Sequence, residues 1–320
     1  MDPATAGKPP SAAPRTAAPA LRVAYQGEPG AYSDAATTAL FGDPGVQAVP
    51  CATFVEVFDA LEAGRVDAAV VPVENSYAGD VGEVYDLLRR GAAGIRLELE
   101  LPIRHCLLAV PGAALDEVEV VRSHPQALGQ CREFLRRRAW RVEPAHDTAG
   151  AARRLAEEGS RRVAVIASDR AAHRYGLDVL ARNIQDAGDN VTRFQVLTLE
   201  GRQVEARGPA PARWQAAAAR GRARSKTSLL ITTEHRPGAL ARCLDVFARW
   251  GVNLTKLTSR PYPGRAWEYM FFVDLEGTDE DPAVRGALVE LSRYAAEVRR
   301  FGSYPWITAD LTGGSEEMGD

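Results

Sequence analysis

Short apolar, β-branched runs alternate with stretches of helical periodicity near the start of the chain. This pattern predicts strands over residues 21–26 and 68–73 and helices over 31–41, 54–63 and 81–90. Thr53 is a good N-cap for the second of these helices, and Glu56, three residues on, completes a capping box. Alternation of strands and helices is typical of parallel α/β architecture.

A second unit of the same type follows, from about residue 104 to 180. Its predicted strands are 105–110, 118–122 and 163–167, its predicted helices are 125–137, 148–158 and 168–175, and a further strand covers 191–199. Two α/β lobes joined by crossing strands leave a cleft where strand ends and helix N-termini converge. We therefore expect a ligand site between the lobes.

The chain changes character at residues 201–225, where Arg, Ala, Gly and Pro indicate a linker. The next predicted elements are strand 227–233, helix 238–250, strand 253–260, strand 267–275, helix 282–294 and strand 298–304. This βαββαβ order is that of a ferredoxin-like split unit. The predicted organisation is a disordered tail over 1–20, a two-lobed region over 21–200 with its second lobe at about 104–180, a linker over 201–225, a small domain over 226–305 and a tail over 306–320.

Composition argues against several classes of partner. Apolar residues make up 46% and charged residues 25%, as in an ordinary globular protein. The net charge of −3 gives no general attraction to nucleic acid or to anionic membranes. No stretch approaches the roughly 18 apolar residues that span a bilayer. We expect neither nucleic acid nor membrane as a partner.

Four widely spaced cysteines form no CxxC motif and no Cys/His cluster, so neither a zinc site nor a disulfide framework is predicted. A reducing compartment fits this pattern, and we expect the cytoplasm. The first twenty residues are mostly small or proline, which predicts disorder. No apolar segment follows the charged start, as a secretory signal requires. An organellar transit peptide is the less favoured alternative, because Lys8 and Arg15 lie among small residues.

Four segments of the two-lobed region carry small polar groups at strand ends, namely residues 25–33, 72–76, 123–130 and 190–194. Each has a purely structural explanation when taken alone. Asn75 and Ser123 could cap helices, and Arg193 could form a surface ion pair of little energetic value. His105, His124 and His146 belong to no recognisable triad, so a structural role, or one that supports other site residues, is favoured for them.

Together and in order, four strings resemble prephenate dehydratases: VAYQGEPGAYS (23–33), VPVENS (71–76), SHPQAL (123–128) and DNVTRF (189–194). The resemblance spans about residues 21–199. Residues 226–304 resemble the ACT regulatory domain of that family, on the strings RPGAL (236–240) and SRP (259–261). The resemblance implies an α/β fold with a two-lobed, periplasmic-binding-protein-like catalytic region and a ferredoxin-like ACT domain.

That family turns a cyclohexadienyl acid into phenylpyruvate, with loss of carbon dioxide and the ring hydroxyl. Aromatisation drives the reaction, so the protein has to orient the substrate and help hydroxide leave. A donor on the leaving oxygen is typically worth ~10²–10⁴-fold. By resemblance, Thr192 is the group closest to that role. A threonine hydroxyl is a very weak acid, so we interpret it as a donor that polarises the leaving hydroxyl. No metal or organic cofactor is expected.

The resemblance also implies roles for the other matched residues. Arg193 is expected to clamp a substrate carboxylate bidentately, while neighbouring amides and hydroxyls supply neutral donors that Glu74 orients. The predicted catalytic residues are Thr192, Arg193, Asn75, Ser123 and Gln130. The predicted substrate-binding residues are Glu74, Ser76, Tyr25, Gly27 and Phe194.

The ACT resemblance implies an amino-acid effector, with phenylalanine expected. A glycine at the start of a helix lets backbone amides approach a ligand carboxylate. The predicted effector-binding residues are Gly238, Ala239, Leu240, Ser259, Arg260 and Pro261. Thr258 stands where the family commonly has Glu. Such sites form between paired domains, so a homodimer or homotetramer is expected.

Three functions follow from this sequence. The first is a feedback-regulated prephenate dehydratase, a carbon–oxygen lyase of phenylalanine biosynthesis. The second is an arogenate dehydratase, which performs the same chemistry on a substrate that bears an amino group. The third, of another class, is a non-catalytic amino-acid sensor built on the same two-lobed fold.

Overall fold

The structure is a computed structural model that describes residues 21–42, 46–200 and 224–309. The predicted tail at 1–20, most of the predicted linker and residues 310–320 lie outside the described residues. The elements up to residue 102 are β1 (Leu21–Gln26), α1 (Tyr32–Phe41), β2 (Val46–Cys51), α2 (Phe54–Glu62), β3 (Ala68–Asn75), β4 (Gly79–Asp80), α3 (Gly82–Arg90) and β5 (Ala93–Pro102).

Two further groups of elements follow. The second group is β6 (Cys106–Ala109), a 3-10 turn (Leu115–Glu117), β7 (Val120–Ser123), α4 (Pro125–Gln130), α5 (Arg132–Arg136), β8 (Arg141–Pro144), α6 (Thr148–Glu158), β9 (Val163–Ala167), α7 (Asp169–Tyr175), β10 (Asp178–Ala181) and β11 (Val191–Leu199). The third group is β12 (Arg224–Thr232), α8 (Ala239–Arg249), β13 (Leu254–Pro261), β14 (Tyr269–Glu276), α9 (Pro282–Leu291) and β15 (Glu297–Thr308).

The first lobe is built on strands in the order β2-β1-β3-β11-β5, with β1 parallel to its neighbours and β11 antiparallel to both β3 and β5. Side chains alternate between the two faces of each strand. On one face Leu40 of α1 packs with Leu99 and Phe194, and on the other Leu88 of α3 packs with Val73. Both faces of this sheet are therefore buried by helices.

The second lobe is a separate sheet in the order β10-β6-β9-β7-β8. The two lobes touch directly at the loop after β1. Gly30 has φ +92, and a Cβ on it would lie 2.9 Å from the Ala171 Cα, so only glycine permits this approach. The Ser168 hydroxyl donates to the Gly30 carbonyl at 2.6 Å, and Arg153 binds Glu28 across the same boundary at 2.6 Å. The two lobes are therefore in direct contact at the loop after β1.

The ferredoxin-like domain has the strand order β13-β14-β12-β15, with α8 and α9 packed into its core. Its last strand, β15, continues past Tyr304 and pairs in parallel with β5, with Trp306 opposite Glu98 and Thr308 opposite Glu100. The small domain and the first lobe consequently share one continuous sheet. Residues 306–308, expected in a C-terminal tail, belong to this strand.

The predicted fold class is confirmed, and most predicted elements lie within two residues of the observed ones. The helix predicted over 125–137 is in fact two short helices, α4 and α5, interrupted at Cys131, whose φ of −122 and ψ of 29 leave the helical region. Five strands were not predicted: β2, β4, β5, β8 and β10. In β2, Pro50 conceals the strand pattern, and it is tolerated because β2 lies at the sheet edge.

Charged side chains are buried where the shared sheet passes from the small domain to the first lobe. Lys226 of β12 and Glu98 of β5 are both fully buried, with Nζ and Oε1 2.5 Å apart. Asp274 of β14 accepts from the Ser228 hydroxyl at 2.5 Å. Burial, with the Glu98 charge, raises the pKa of Asp274 from 3.8 to about 6. We call these four residues the buried ionic cluster.

None of the helices in the described ranges is long and apolar enough to cross a membrane. Within the same ranges, no group of three or more His, Cys, Asp or Glu side chains is arranged to hold a metal ion.

Replacing Lys226 with Met should lower the free energy of unfolding by about 3 kcal/mol, because Glu98 would remain charged and buried without its partner. Denaturant unfolding of the two proteins measures this difference. The double variant Lys226→Met/Glu98→Gln should recover most of the loss. Arg141→Ala, which removes an exposed pair with Glu143, is the control and should change stability by less than about 0.5 kcal/mol. Unchanged stability of Lys226→Met would contradict this account.

Asp274 should make the folded state less stable as pH rises. Its pKa is about 6 in the folded state and 3.8 in the unfolded chain. Between these two values the folded state binds more protons than the unfolded chain, so stability falls as pH rises from 3.8 to about 6. Two pKa units correspond to up to about 3 kcal/mol. Asp274→Asn should abolish this part of the pH dependence in denaturant unfolding measured across the window from pH 3.8 to about 6. Parallel stability profiles of wild type and variant would rule this out.

Candidate active site

Thr192 and Asn75 lie side by side where β11 enters the first lobe. The two strands pair with Thr192 directly opposite Asn75, and both residues are only 8% exposed. Asn75 Nδ2 donates to the Thr192 hydroxyl oxygen at 2.9 Å. A hydroxyl has one proton and two lone pairs, so accepting this bond leaves the Thr192 proton available for another acceptor.

The orientation of the Asn75 amide is fixed by the backbone. Its Oδ1 accepts from the main-chain nitrogens of Tyr77 at 3.1 Å and Ala78 at 2.9 Å. Its Nδ2 must therefore face the other way, where it also donates to Asn190 Oδ1 at 2.8 Å. The sequence Glu74-Asn75-Ser76-Tyr77-Ala78 makes an Asx-type turn after β3, a common use of asparagine.

The hydrogen bonds continue from Asn190 across the gap between the lobes. Asn190 Nδ2 donates to Gln130 Oε1 at 3.1 Å, and His105 Nε2 lies 2.8 Å from the same oxygen. His105 Nδ1 is 2.8 Å from the Tyr32 hydroxyl. Burial lowers the pKa of His105 below its usual value. We call the six residues the cross-lobe network: Thr192, Asn75, Asn190, Gln130, His105 and Tyr32.

Arg193 lies on the opposite face of β11 from Thr192, because successive side chains of a strand alternate. Its guanidinium donates from Nε to Glu100 Oε1 at 3.1 Å and from Nη1 to Glu74 Oε2 at 2.9 Å, and Glu98 lies 3.8 Å away. These contacts do not support the prediction that Arg193 clamps a carboxylate of the substrate. Arg193 is held among carboxylates of its own protein, which also pair with Lys226 and Lys256.

Three other predicted residues also have structural partners. Ser123 is fully buried, and its hydroxyl donates to the Ile166 carbonyl at 2.6 Å, which connects β7 to β9. The Ser123 proton that was predicted to contact the substrate is therefore used within the protein. Glu74 binds Arg193 and Lys256 instead of orienting neutral donors. Ser76 accepts from the Val191 amide at 3.0 Å and so holds the loop after β3 against the start of β11.

Two residues predicted to touch the substrate belong to the core. Tyr25 and Phe194 are each 1% exposed, and burial raises the pKa of the Tyr25 phenol. Phe194 packs between α1 and β5. Gly27 has φ +108 and donates its backbone N–H to the Cys51 carbonyl at 2.9 Å, so it shapes the loop after β1.

The helix start in the small domain borders a cavity of about 250 Å³. Gly238, Ala239 and Leu240 line it as predicted, together with Glu268 and Tyr269. Gly238 is the N-cap of α8 and has φ +75, a conformation that favours glycine.

The other three predicted effector residues, Ser259, Arg260 and Pro261, do not line this cavity. Arg260 donates to Asp86 of α3 at 2.6 Å, and Thr258, the departure from the family pattern, donates to Asp80 of β4 at 2.9 Å. Strand β13 therefore contacts the first lobe of the same chain.

A larger cavity of about 870 Å³ lies between α1, α7 and the segments that cross between the lobes. Its lining includes Tyr32, Arg104, Arg170, Arg174 and Arg182. None of the residues predicted for the catalytic site lines it, and Tyr32 is the one member of the cross-lobe network that does.

Sequence reasoning missed three members of the network. Asn190 and Tyr32 lie inside the matched strings but were given no role, and His105 was assigned a structural one. The signal for Tyr32 and Asn190 was their position beside strand ends. His105 carries no local signal, since it is recognisable only from its contacts with Tyr32 and Gln130, 73 and 25 positions away.

Comparisons with family models and with known proteins point to the same family. The model of the prephenate dehydratase family matches residues 23–202, and that of the ACT domain matches residues 227–293. The chain is 42% identical over 300 residues to arogenate dehydratase/prephenate dehydratase 2, chloroplastic, of Arabidopsis thaliana, covering 91% of this chain and 74% of the relative. It is 40% identical over 299 residues to arogenate dehydratase 2 of Petunia hybrida, covering 89% and 72%.

Solved structures agree on the fold. A prephenate dehydratase from Arthrobacter aurescens in complex with L-Phe has a TM-score of 0.75 and 32% identity, covering 89% of this chain and 90% of that one. A protein described as GqqA, a novel type of quorum quenching acylase, has a TM-score of 0.78 and 34% identity, covering 89% and 98%.

The names of the plant relatives overturn one prediction. Two of those from Arabidopsis thaliana are called chloroplastic, so the predicted cytoplasmic location is wrong. The argument failed because unpaired cysteines report on a reducing environment, and they do not specify which compartment provides it.

Proposed function

The chain belongs to the prephenate dehydratase family of lyases, and we propose that it catalyses the decarboxylating dehydration of prephenate, or of its amino form arogenate, in phenylalanine biosynthesis. The observation that carries this proposal is the bond from Asn75 Nδ2 to the Thr192 hydroxyl. It turns Thr192 into an oriented donor beside the cross-lobe network, and departure of a ring hydroxyl is helped by such a donor.

The proposed step balances without a redox partner. The bond between the ring and its carboxylate breaks, carbon dioxide leaves, and the electron pair enters the ring. The bond from the ring to the hydroxyl breaks at the other end, and the departing oxygen takes a proton to become water. Thr192 donates to that oxygen and stabilises its developing charge. A threonine hydroxyl is a very weak acid, so Thr192 is not the source of the proton. It relays to the departing oxygen a proton that comes from water or from the substrate.

Arg193 has a positioning role in this proposal. Its guanidinium bridges Glu74 of β3 and Glu100 of β5, the two strands on either side of β11. These ion pairs hold β11 in register on the face opposite to Thr192. Arg193 therefore fixes where the Thr192 hydroxyl lies without contacting the substrate.

The description of one solved relative, GqqA, as an acylase raises a different reaction for this fold. An acylase that used Thr192 would need a base beside the hydroxyl to activate it as a nucleophile. The neighbour seen at that oxygen is the Asn75 amide, which donates and does not accept the proton. This contact favours a hydrogen-bond donor over a nucleophile, and so it favours the dehydratase.

Thr192→Ala should lower kcat by ~10²–10⁴-fold with prephenate or arogenate and leave KM nearly unchanged, because the lost bond acts mainly in the transition state. Both substrates should be assayed side by side, with phenylpyruvate and phenylalanine as the products. The conservative variant Thr192→Ser keeps the hydroxyl and should stay within about tenfold of wild type. Full turnover by Thr192→Ala would remove Thr192 from the mechanism, and wild type inactive on both substrates would refute the proposed function.

We further propose that phenylalanine binds at the cavity before α8 and regulates the enzyme. The backbone N–H groups of Gly238 and Leu240 suit its carboxylate, because they lie at the positive end of an eleven-residue helix. Glu268 lines the same cavity and offers a carboxylate for the ammonium group. The Arthrobacter aurescens relative with L-Phe bound supports this effector. A homodimer or homotetramer stays a prediction that light scattering would test.

Glu268→Gln should weaken phenylalanine binding by ten- to a hundredfold, because a hydrogen bond to a charged group is worth about 1.5–3 kcal/mol. Calorimetry on the full chain gives the affinity directly. Glu280→Gln changes an exposed carboxylate outside the cavity and is the matched control. Equal affinity in all three proteins would place the ammonium group elsewhere.

A further inference from the structure

The hydrogen bonds of the cross-lobe network have a defined direction, which starts at Asn75. Two backbone N–H groups occupy its Oδ1, so its Nδ2 is the group that faces Asn190. Asn190 must then present Oδ1 to Asn75 and Nδ2 to Gln130. Reversing any one of these amides would bring two donors or two acceptors together. The backbone at Tyr77 and Ala78 thus determines the orientation of side chains that reach into the second lobe.

Gln130 is the member whose orientation matters for a substrate. Its Oε1 receives Asn190 Nδ2 at 3.1 Å and lies 2.8 Å from His105 Nε2. Two neutral groups can share this oxygen only if His105 carries its proton on Nε2. With Oε1 held by these two donors, the Gln130 amide nitrogen is the outward end of the side chain, and no described residue accepts a hydrogen bond from it.

Gln130 determines which nitrogen of His105 carries the proton, and Tyr32 is the partner of the other nitrogen. Because Gln130 Oε1 has to accept from Nε2, Nδ1 has no proton. The Tyr32 hydroxyl lies 2.8 Å from Nδ1 and can donate to it, and it also lies within donating distance of the Arg104 carbonyl, at 3.0 Å. Burial lowers the pKa of His105 and so keeps the ring neutral, as this arrangement requires. The rings also meet edge-on with centroids 5.6 Å apart, which fixes the imidazole plane.

We propose that Tyr32 and His105 are positioning residues for the dehydration, which hold the His105 Nε2–H group on Gln130 Oε1 and thereby keep the Gln130 amide nitrogen turned toward the substrate. This inference rests on the proposed function, because the cleft has to hold the cyclohexadienyl substrate for that donor to matter. Neither residue touches the reacting atoms. Their effect passes through Gln130, on the same hydrogen-bonded chain that ends at Thr192.

Two histidine replacements separate this role from a general packing role. His105→Gln places an amide nitrogen near the position of Nε2 and can still donate to Gln130, whereas His105→Asn reaches only the position of Nδ1. We expect His105→Gln to keep kcat within about threefold of wild type and His105→Asn to lose about tenfold or more, the effect of one neutral hydrogen bond. Equal losses in both variants, or no loss in His105→Asn, would overturn the proposal.

Non-additivity tests whether His105 acts through Gln130. Gln130→Leu alone should lower kcat, and adding His105→Asn should lower it no further, because coupled residues share one interaction. Losses that multiply in the double variant would show independent roles and contradict the proposal. Melting temperatures of all variants identify any loss that comes from misfolding.

The tautomer of His105 can be read without any activity measurement. In protein labelled with ¹⁵N-histidine, the His105 ring should show a protonated Nε2 and an unprotonated Nδ1 at neutral pH, with its signals assigned by their absence in His105→Gln. Tyr32→Phe should shift this ring toward a mixture of tautomers. A wild-type ring protonated on Nδ1 alone would sink the inference even if the enzyme is active. Wild type inactive on both substrates, with the expected tautomer, would instead count against the proposed function.

Discussion

The antiparallel pairing of β11 with β3 and β5 is the constraint on which the rest of the site depends. The chain leaves the first lobe after β5, forms the second lobe, and returns with β11 placed between β5 and β3. Thr192 then lies opposite Asn75, and Arg193 lies opposite Glu74. A slip of one residue would exchange the two faces and place the guanidinium where the neutral donors now meet.

The two faces of this strand have different electrostatic characters. On the Thr192 side the side chains of the cross-lobe network are neutral: three amides, one hydroxyl, a phenol and an imidazole. On the Arg193 side, carboxylates of the first lobe meet Arg193, Lys226 and Lys256. Lys226 and Lys256 come from the ACT domain, so this domain contacts the opposite face of the same strands that carry the candidate site. The loop after β3 joins both sides, since Glu74 binds Lys256 while the adjacent Asn75 binds Thr192.

Sequence reasoning located the strands that bear the site, and it was weaker on which way their side chains point. The β-rich run over 191–199 predicted the correct bounds of β11, and the string DNVTRF pointed to Thr192. Neither could show that Arg193 faces three carboxylates contributed by β3 and β5. The direction depends on register, and a β-bulge lies between Arg193 and Phe194 in the pairing with β3. His105 and Asn190 were missed as site residues because their partners are distant in sequence. The strand segment at 306–308 was missed because its partner is β5, and no local pattern records a strand pairing between domains.

The sequestration of Arg193 has a chemical rationale. A guanidinium placed on the carboxylate that leaves as carbon dioxide would stabilise the ground state, in which the charge is localised, more than a transition state in which that charge disperses into the ring. Neutral donors such as the Gln130 amide and the Thr192 hydroxyl avoid this penalty, because they can orient oxygen atoms without a large preference for the localised charge. Holding Arg193 between Glu74 and Glu100 lets a cation stabilise the strand register one residue away from the chemistry. The adjacent Thr192 and Arg193 can thus supply a neutral donor and a cation that stabilises the strand register, because neighbouring side chains of a β-strand lie on opposite faces.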